Sequence, residues 1–281
     1  MTYLLLSVLG QTFNALLLKI GELYDQDRMV VVAFNYFAAS LGAAVLWAVQ
    51  GSGPPGMATL ILGPVGGFFW ATSLIMWIGT MAKVGLALST AVMRLSVLFP
   101  TLLSVILFAE LPTGLQFTGV ALTVVVLGLL GWNSLSGEGV RAREGGFVWL
   151  LGLLLLMGGV GIVQKLFAEW GRPVDRNALL FLVFTSAGLM CWWVVLRQRR
   201  RLRRGDALRG FLFGLGNVTS NSFLLLGLVD VPGVVAFPTL SVGVILTTSV
   251  TGLLLYRERP GWRGVSAIVL SAVSIVLMTS S

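Results

Sequence analysis

The stretch STAVMRLSVLFPTLLSVIL, from Ser89 to Leu107, is almost wholly apolar except for Arg94. An apolar run of this length matches the roughly 20 residues with which a helix crosses the hydrocarbon core of a bilayer. A cation near the middle of such a helix costs at least about 2.5–3.5 kcal/mol. The segment therefore predicts a transmembrane helix whose arginine faces a polar cavity or protein acceptors rather than lipid.

The rest of the chain has the same apolar character. Of its 281 residues, 57% are hydrophobic and only 11% are charged, whereas about a quarter of the residues of a soluble domain are charged. We predict an all-α integral membrane protein and expect its first segment to be retained, because no basic region precedes it. Ten transmembrane helices are predicted at 3–21, 29–49, 58–81, 85–108, 113–132, 146–169, 177–196, 208–229, 233–256 and 262–279.

The two halves of the chain resemble each other. Because each half holds five segments, an odd number, two copies of one unit must cross the membrane in opposite senses. The sequence thus predicts two inverted five-helix repeats, residues 1–135 and 146–281, with a site between them near the midplane, as in many secondary transporters. The residues repeated 148 positions later are Gly66, Gly79, Gly85, Glu110 and Pro112, which correspond to Gly214, Gly227, Gly233, Glu258 and Pro260.

Basic residues gather in the connections that follow odd-numbered segments, above all in RQRRRLRRGDALR, Arg197–Arg209. By the positive-inside rule these connections lie in the cytoplasm and both termini lie outside. The net charge of +8 is therefore interpreted as a topology signal with secondary contact to membrane lipids, and no nucleic-acid partner is expected.

The residue types present exclude most catalytic chemistry. The chain has no histidine and a single cysteine, Cys191, so the commonest general base and metal ligand is missing. The carboxylates all fall at or beyond helix ends, which argues against an intramembrane catalytic acid or proton carrier. We predict that the protein is not an enzyme and has no metal or cofactor.

Arg94 is the leading candidate for substrate contact. Its guanidinium can hold a carboxylate or another anionic group bidentately. The alternative is a structural arginine tied to backbone carbonyls, hydroxyls or water. Pro100 has no N–H to offer the carbonyl four residues back, so the Ser96 carbonyl is predicted to be free near the arginine.

Uncharged polar and aromatic side chains complete the candidate site. Asn217 and Asn221 share one helix face, and they either line a cavity or join two helices. Trp70 lies in the middle of its segment, where it lines the cavity or packs against neighbouring helices. The predicted substrate-binding residues are Arg94, Trp70, Asn217, Asn221, Gln11, Asn14, Gln164, Trp77, Asn35 and Tyr36.

Two prolines and two lysines are candidates for gating or hinge roles. Pro100 and Pro238 lie inside segments, where a proline interrupts the backbone ladder and forms either a hinge or a packing kink. Lys19 and Lys165 end the first segment of each half. Lysines there usually extend toward the membrane interface, and substrate contact is the alternative.

This layout resembles the EamA-type branch of the drug/metabolite transporter superfamily over the whole chain. The resemblance depends on the lysine that ends the first segment of each half and on the motifs FAELP and YRERP that close the fourth. It implies a carrier of amino acids or other small metabolites, often an exporter, with a cavity built from segments one, three, four, six, eight and nine. Such carriers are often drawn with cytoplasmic termini, opposite to the charge count. Small multidrug relatives use a glutamate in the first helix, where this chain has Gln11 and Asn14.

We therefore expect a multi-pass secondary transporter in the bacterial inner membrane. Its expected substrate is a small polar or zwitterionic metabolite, and its expected form is a monomer, with a dimer as the alternative. A carrier or flippase for an anionic phosphorylated or lipid-linked substrate is the first alternative. An intramembrane lipid-modifying enzyme and a non-transporting scaffold are disfavoured by the missing catalytic groups and by the inverted duplication.

Overall fold

The computed structural model of the protein describes residues 1–22, 26–51, 53–135, 146–256 and 262–279. Throughout these ranges the regular structure is helical, and a 3-10 turn, Pro173–Asp175, precedes α8. The α-helices are α1 (Thr2–Glu22), α2 (Arg28–Gln50), α3 (Met57–Val84), α4 (Leu86–Leu95), α5 (Leu98–Phe108), α6 (Gly114–Leu135), α7 (Gly146–Trp170), α8 (Arg176–Arg197), α9 (Arg204–Asp230), α10 (Gly233–Tyr256) and α11 (Trp262–Thr279).

The chain is a multi-pass membrane protein. Among the described residues, seven helical spans are long and apolar enough to cross a bilayer, and α4 and α5 count together as one of them. These spans are Arg28–Gln50, Met57–Val84, Leu88–Phe108, Gly146–Trp170, Pro173–Arg197, Arg204–Asp230 and Gly233–Gly252. Shorter apolar helices cover Thr2–Leu17, Gly114–Leu129 and Val265–Thr279.

The predicted fourth segment is wrong as a single helix, because the chain breaks at Ser96–Val97. Pro100 cannot donate to the Ser96 carbonyl, and that carbonyl instead accepts the N–H of Phe99 at 3.1 Å. Val97 N–H likewise donates to the Arg94 carbonyl at 3.3 Å. These three-residue hydrogen bonds tighten the backbone between α4 and α5. The Ser96 carbonyl is therefore not free, contrary to the sequence prediction.

Close helix packing depends on small residues. α2 packs antiparallel to α8 and also against α9. A methyl group at Gly210 of α9 would lie 2.5 Å from the Val31 carbonyl oxygen of α2, and one at Gly214 would lie 2.7 Å from Ala38 Cβ. The backbones of α2 and α9 can approach this closely only because glycine has no side chain. The remaining main pairings are α3 with α7 and α8, α1 with α9 and α10, α6 with α11, and α10 with α5 and α11.

The two ends of the bundle differ in charge. α8 ends and α9 begins at one end, at Arg197–Arg204, which we call the arginine end. At the opposite end Leu4 of α1 packs against Gly227, near the end of α9, and Met278 of α11 packs against Gly119, near the start of α6. We call this the terminal end, because α1 begins there and α11 ends there.

Candidate functional site

Four amide side chains from three helices form a continuous hydrogen-bonded series, which we call the amide chain. Gln164 of α7 donates through Nε2 to Asn221 Oδ1 of α9 at 2.9 Å. Asn221 Nδ2 donates to Asn217 Oδ1 at 2.7 Å, and Asn217 Nδ2 donates to Asn35 Oδ1 of α2 at 3.3 Å. These amides link α2, α7 and α9, which is one of the two roles predicted for such residues.

The amide chain has an unsatisfied donor at its α2 end. Asn35 is fully buried, and its Nδ2 has no hydrogen-bond partner among the described residues. A buried donor without a partner is unfavourable, and a water molecule or another bound group that accepts from it would remove that cost.

Two polar residues of α1 lie beside the amide chain. Asn14 donates to the Phe213 carbonyl at 3.2 Å and accepts the Asn217 N–H at 3.3 Å in the amide orientation that satisfies both groups. Gln11 lies one turn before Asn14. Around the helix, it falls between the face of α1 that contacts α9 and the face that contacts α10, where Val8 meets Gly243. In the part of the chain that the structure describes, the half-buried Gln11 side chain has no hydrogen-bond partner.

Trp70 and Tyr36 meet next to this series. The buried Tyr36 hydroxyl donates to the Trp70 carbonyl at 3.1 Å. Both rings contact Phe184 of α8, with centroids 6.2 Å and 6.1 Å away. Trp77 lies elsewhere, with Met81 and Leu153. Its Nε1 is buried and has no acceptor among the described residues.

Arg94 lies in the last turn of α4, apart from the amide chain. Its neighbour Met93 packs against the Trp77 cluster, and Leu95 packs against the cluster around Ile245. The half-buried guanidinium makes no hydrogen bond or ion pair with any residue that the structure describes. The turn of α4 that holds Arg94 therefore meets the Trp77 cluster through Met93. Arg94 itself makes no bonding contact with Asn217, Asn221 or Gln164.

The expectation that Lys165 extends to the membrane interface is wrong. Its side chain is 2% exposed and pairs with Glu110 and Glu169. Glu110 Oε2 also accepts the N–H of Val234 at 3.1 Å. A buried ammonium is stable here because two carboxylates surround it. The contact with Glu110 joins residues 55 positions apart, so no local sequence pattern signals it.

The remaining gating candidates lie in different settings. Pro100 is in the first turn of α5, directly after the break, whereas Pro238 lies inside the continuous helix α10. The side chain of Lys19 lies outside the described part of the structure.

A second buried acid at the terminal end was not expected. Asp175, before α8, accepts Gly56 N–H at 2.9 Å, Thr59 Oγ1 at 3.1 Å and Arg172 Nε at 2.8 Å. The hydrogen bond to Asp175 raises the pKa of the Arg172 guanidinium. Asp175 therefore fixes the start of α3 against the start of α8.

Residues 145–280 match the model of the EamA-like transporter family. The second half of the chain is therefore a domain of this family. The EamA-like chain is thus a member of the drug/metabolite transporter superfamily, as its layout predicts, and the EamA-like family is a family of transporters.

Curated relatives and a solved structure resemble the EamA-like chain over most of its length. A Bacillus cereus protein and a Bacillus anthracis protein, both named "Putative sugar uptake protein", are 25% identical over 270 residues, covering 94% of this chain and 91% of each relative. An uncharacterized Haemophilus influenzae protein is 25% identical over 178 residues, which is 62% of this chain and 60% of that protein. A crystal structure with 11% identity superposes with a TM-score of 0.75, covering 99% of this chain and 98% of the other. That likeness shows a shared fold.

Proposed function

We propose that this EamA-like protein is a secondary transporter that moves a small polar or zwitterionic metabolite across the bacterial inner membrane by alternating access. The single observation that supports the substrate class is the unpaired guanidinium of Arg94, which lies inside the span Leu88–Phe108, six residues from its start. An unpaired cation at that depth is unfavourable in an empty site, and an anionic group of a substrate satisfies it. A carboxylate is the smallest such group.

The helix pairings support the two inverted five-helix repeats, residues 1–135 and 146–281. α1 packs against α9 as α7 packs against α3, and α2 packs against α9 as α8 packs against α3. α1, α2 and α3 of the first half correspond to α7, α8 and α9 of the second. Exchanging each helix for its counterpart turns one member of each of these pairs of contacts into the other. The equivalent residues Tyr36 and Phe184 stack on each other, as expected at a local two-fold axis.

Two equivalent aspartates each join the starts of two helices, at opposite ends of the bundle, through different hydrogen bonds. Asp27 caps α2 at the arginine end, and its backbone N–H donates to Asp206 Oδ2 in the first turn of α9 at 3.4 Å. Asp175, which is 148 positions later, precedes α8 at the terminal end and accepts the N–H of Gly56. This correspondence supports opposite crossing directions for the two halves.

The proposed site has two chemically different parts. Arg94 suits a carboxylate, which its guanidinium can bind through two hydrogen bonds. The amide chain, Asn14 and the unpaired Gln11 suit hydroxyl, amino or amide groups. A zwitterionic amino acid or a similar metabolite carries both kinds of group, and a phosphorylated or lipid-linked anion would use Arg94 in the same way. The proposed carrier acts as a monomer and needs no cofactor.

A neutral sugar is the second candidate substrate. Two relatives carry sugar uptake in their names, and the amide chain offers donors and acceptors of the kind that hydroxyl groups require. A sugar has no anionic group for Arg94. The response of transport to Arg94 substitution therefore separates the two candidates.

Uptake into proteoliposomes tests the proposal. The panel contains amino acids, organic acids, monosaccharides and nucleosides, and each is tested with the wild type, Arg94→Gln and Arg94→Lys. We expect carboxylate-bearing solutes to lose about tenfold or more in affinity in Arg94→Gln, since a charge-assisted contact contributes about 1.5–3 kcal/mol. The matched control is Arg197→Gln, which removes an exposed arginine at the end of α8.

The outcomes separate the alternatives. Sugar transport that is unchanged in Arg94→Gln supports the second candidate. Well-folded wild type that moves none of these solutes contradicts the transporter proposal. Unchanged transport together with a lower thermal midpoint in Arg94→Gln assigns the arginine a structural role.

A further inference from the structure

An ionic contact closes the terminal end of the bundle between the two halves of the chain. Lys165 on α7 pairs with Glu110, which follows α5, and with Glu169 one turn along α7. The other oxygen of Glu110 accepts the N–H of Val234 in the first turn of α10. Glu110 therefore joins α5, α7 and α10 at a single point.

The surroundings are shaped for this contact. A methyl group at Gly233 would lie 3.0 Å from Lys165 Cδ, so the lysine side chain passes directly over the backbone of α10. The ring of Phe108 covers the ammonium group at 5.0 Å. Buried charges are tolerated only when they are paired, and here the pairing connects the first half to the second.

α10 is more deeply buried near the terminal end than its counterpart α4 is near the arginine end. Residues 234–245 of α10 are buried on every face of the helix. Among the described residues 148 positions earlier, one face is buried, and Thr90, Met93 and Arg94 are half-exposed. α10 packs along α5. α4 packs mainly against α3, α6 and α7, and it meets the cluster around Ile245 at its last turn, through Leu95.

We propose that this arrangement is the inward-facing state of the carrier, and that the Glu110–Lys165 pair is the latch that closes its outer end. The inference depends on the proposed function and on the positive-inside orientation, which places the arginine end in the cytoplasm. Separation of this pair releases α5 from α7 and α10, which is the movement that opens the terminal end. Arg94, on the less buried helix α4, is then loaded from the cytoplasmic side in this state.

Single-cysteine accessibility in nanodiscs tests the latch without any substrate. Cys191→Ser provides the background, into which Met93→Cys or Ser241→Cys is introduced at positions 148 residues apart. A membrane-impermeant methanethiosulfonate reagent reacts only with thiols that meet water, and nanodiscs expose both faces. We expect the Met93→Cys variant to react quickly and the Ser241→Cys variant to be protected.

Breaking the latch should expose the α10 position. We expect Glu110→Gln to raise the labelling rate of the Ser241→Cys variant by about tenfold or more, because removal of one partner from a buried ion pair is strongly unfavourable for the closed arrangement. The matched control is Glu169→Gln, which removes an equally charged partner of Lys165 that lies on the same helix. It should leave the labelling rate unchanged.

The exchange Glu110→Lys with Lys165→Glu, made together with Glu169→Gln so that position 165 does not face a second carboxylate, restores the pair with reversed positions, and it should restore protection even if Glu110→Gln alone folds poorly. The latch proposal is contradicted if the Ser241→Cys thiol stays protected when Glu110→Gln is added. It is also contradicted if this thiol is labelled at the same rate in the charge-exchange variant and in Glu110→Gln. Protection of the Met93→Cys variant in the parent background overturns the inward-facing assignment. None of these results depends on solute transport, so failure of the latch and failure of the transporter proposal are distinguishable.

Discussion

Asn221 has the most connections in the amide chain. It accepts from Gln164 and donates to both the backbone carbonyl and the side-chain oxygen of Asn217. These bonds satisfy amides that lipid cannot hydrate. The single residue therefore couples α7 to α9 and, through Asn217, to α2.

We expect Asn221→Ala to lower the free energy of unfolding by about 1–2 kcal/mol, because it leaves Gln164 and Asn217 with unpaired amide groups. The measurement is the thermal midpoint of the detergent-solubilised protein. Ser222→Ala is the control, since the Ser222 hydroxyl is adjacent, buried and without a partner in the described chain. Equal midpoints for the two variants would contradict a stabilising role for the amide chain.

Asp175 is a similar point of connection between helix ends. It is 1% exposed and accepts from Gly56, Thr59 and Arg172. We expect Asp175→Ala to reduce stability by about 3 kcal/mol, because it removes a buried charge that three donors surround. Thr59→Ala should have a clearly smaller effect on the thermal midpoint, since it removes one donor only. An Asp175→Ala midpoint no lower than that of Thr59→Ala would argue against this role.

At the scale of the helices, hydropathy predicts the positions of the segments better than it predicts breaks in their backbone hydrogen bonding. The predicted tenth segment, 262–279, agrees with α11, and the second, 29–49, differs from α2 by one residue at each end. The fourth segment is divided because hydropathy measures apolar content and not backbone hydrogen bonding. Pro100 is the signal in the sequence that marks the break. α9 begins at Arg204, four residues before the predicted start, because hydropathy does not register a polar first turn, where Asp206 favours the N-terminal end of the helix.

The candidate site could be predicted in part. Helical spacing places Asn217 and Asn221 on one face, and they do hydrogen-bond to each other. Their partners Gln164 and Asn35 depend on which helices pack together, and a single sequence does not contain that information. The same reason explains the missed contact of Lys165 with Glu110.

Glycine positions make the packing of α2 against α9 testable. A methyl group at Gly214 would overlap the Asn35 carbonyl oxygen and approach Ala38 Cβ to 2.7 Å. We expect Gly214→Ala to lower the free energy of unfolding by about 1–3 kcal/mol, because the backbone of α2 cannot move aside without loss of packing. In Gly128→Ala the methyl group meets nothing within 4 Å, so this control should be neutral or more stable by about 0.5–1 kcal/mol. Similar thermal midpoints for the two variants would contradict the close approach.

At the scale of the whole molecule, the charge distribution predicts an orientation. The terminal end, where α1 begins, is opposite to the arginine end, and the positive-inside rule places the arginine end in the cytoplasm. Because Cys191 is fully buried, a new exposed cysteine is the reactive thiol of the chain.

We expect the Thr2→Cys variant to react with an impermeant thiol reagent in intact cells. The Leu202→Cys variant, in the exposed connection before α9, should react only after the membrane is permeabilised. The parent chain, with Cys191 alone, is the control for background labelling. The reverse pattern would place both termini in the cytoplasm and turn the latch of Glu110 and Lys165 toward the inside.

The amide chain has no symmetry-related copy under the proposed two-fold relation between the halves. The match of Lys19 with Lys165 sets Gln164 against Leu18, and the 148-residue offset sets Asn217, Asn35 and Arg94 against Phe69, Val183 and Val242. An antiparallel homodimer of five-helix chains would have to present every polar group twice, once for each subunit. When the two copies are joined in one polypeptide, each can change independently. A site between them can then contain one positively charged side chain instead of two. A substrate with chemically different ends would then bind in one orientation only. Two identical subunits related by a two-fold axis would bind it equally well in two opposite orientations.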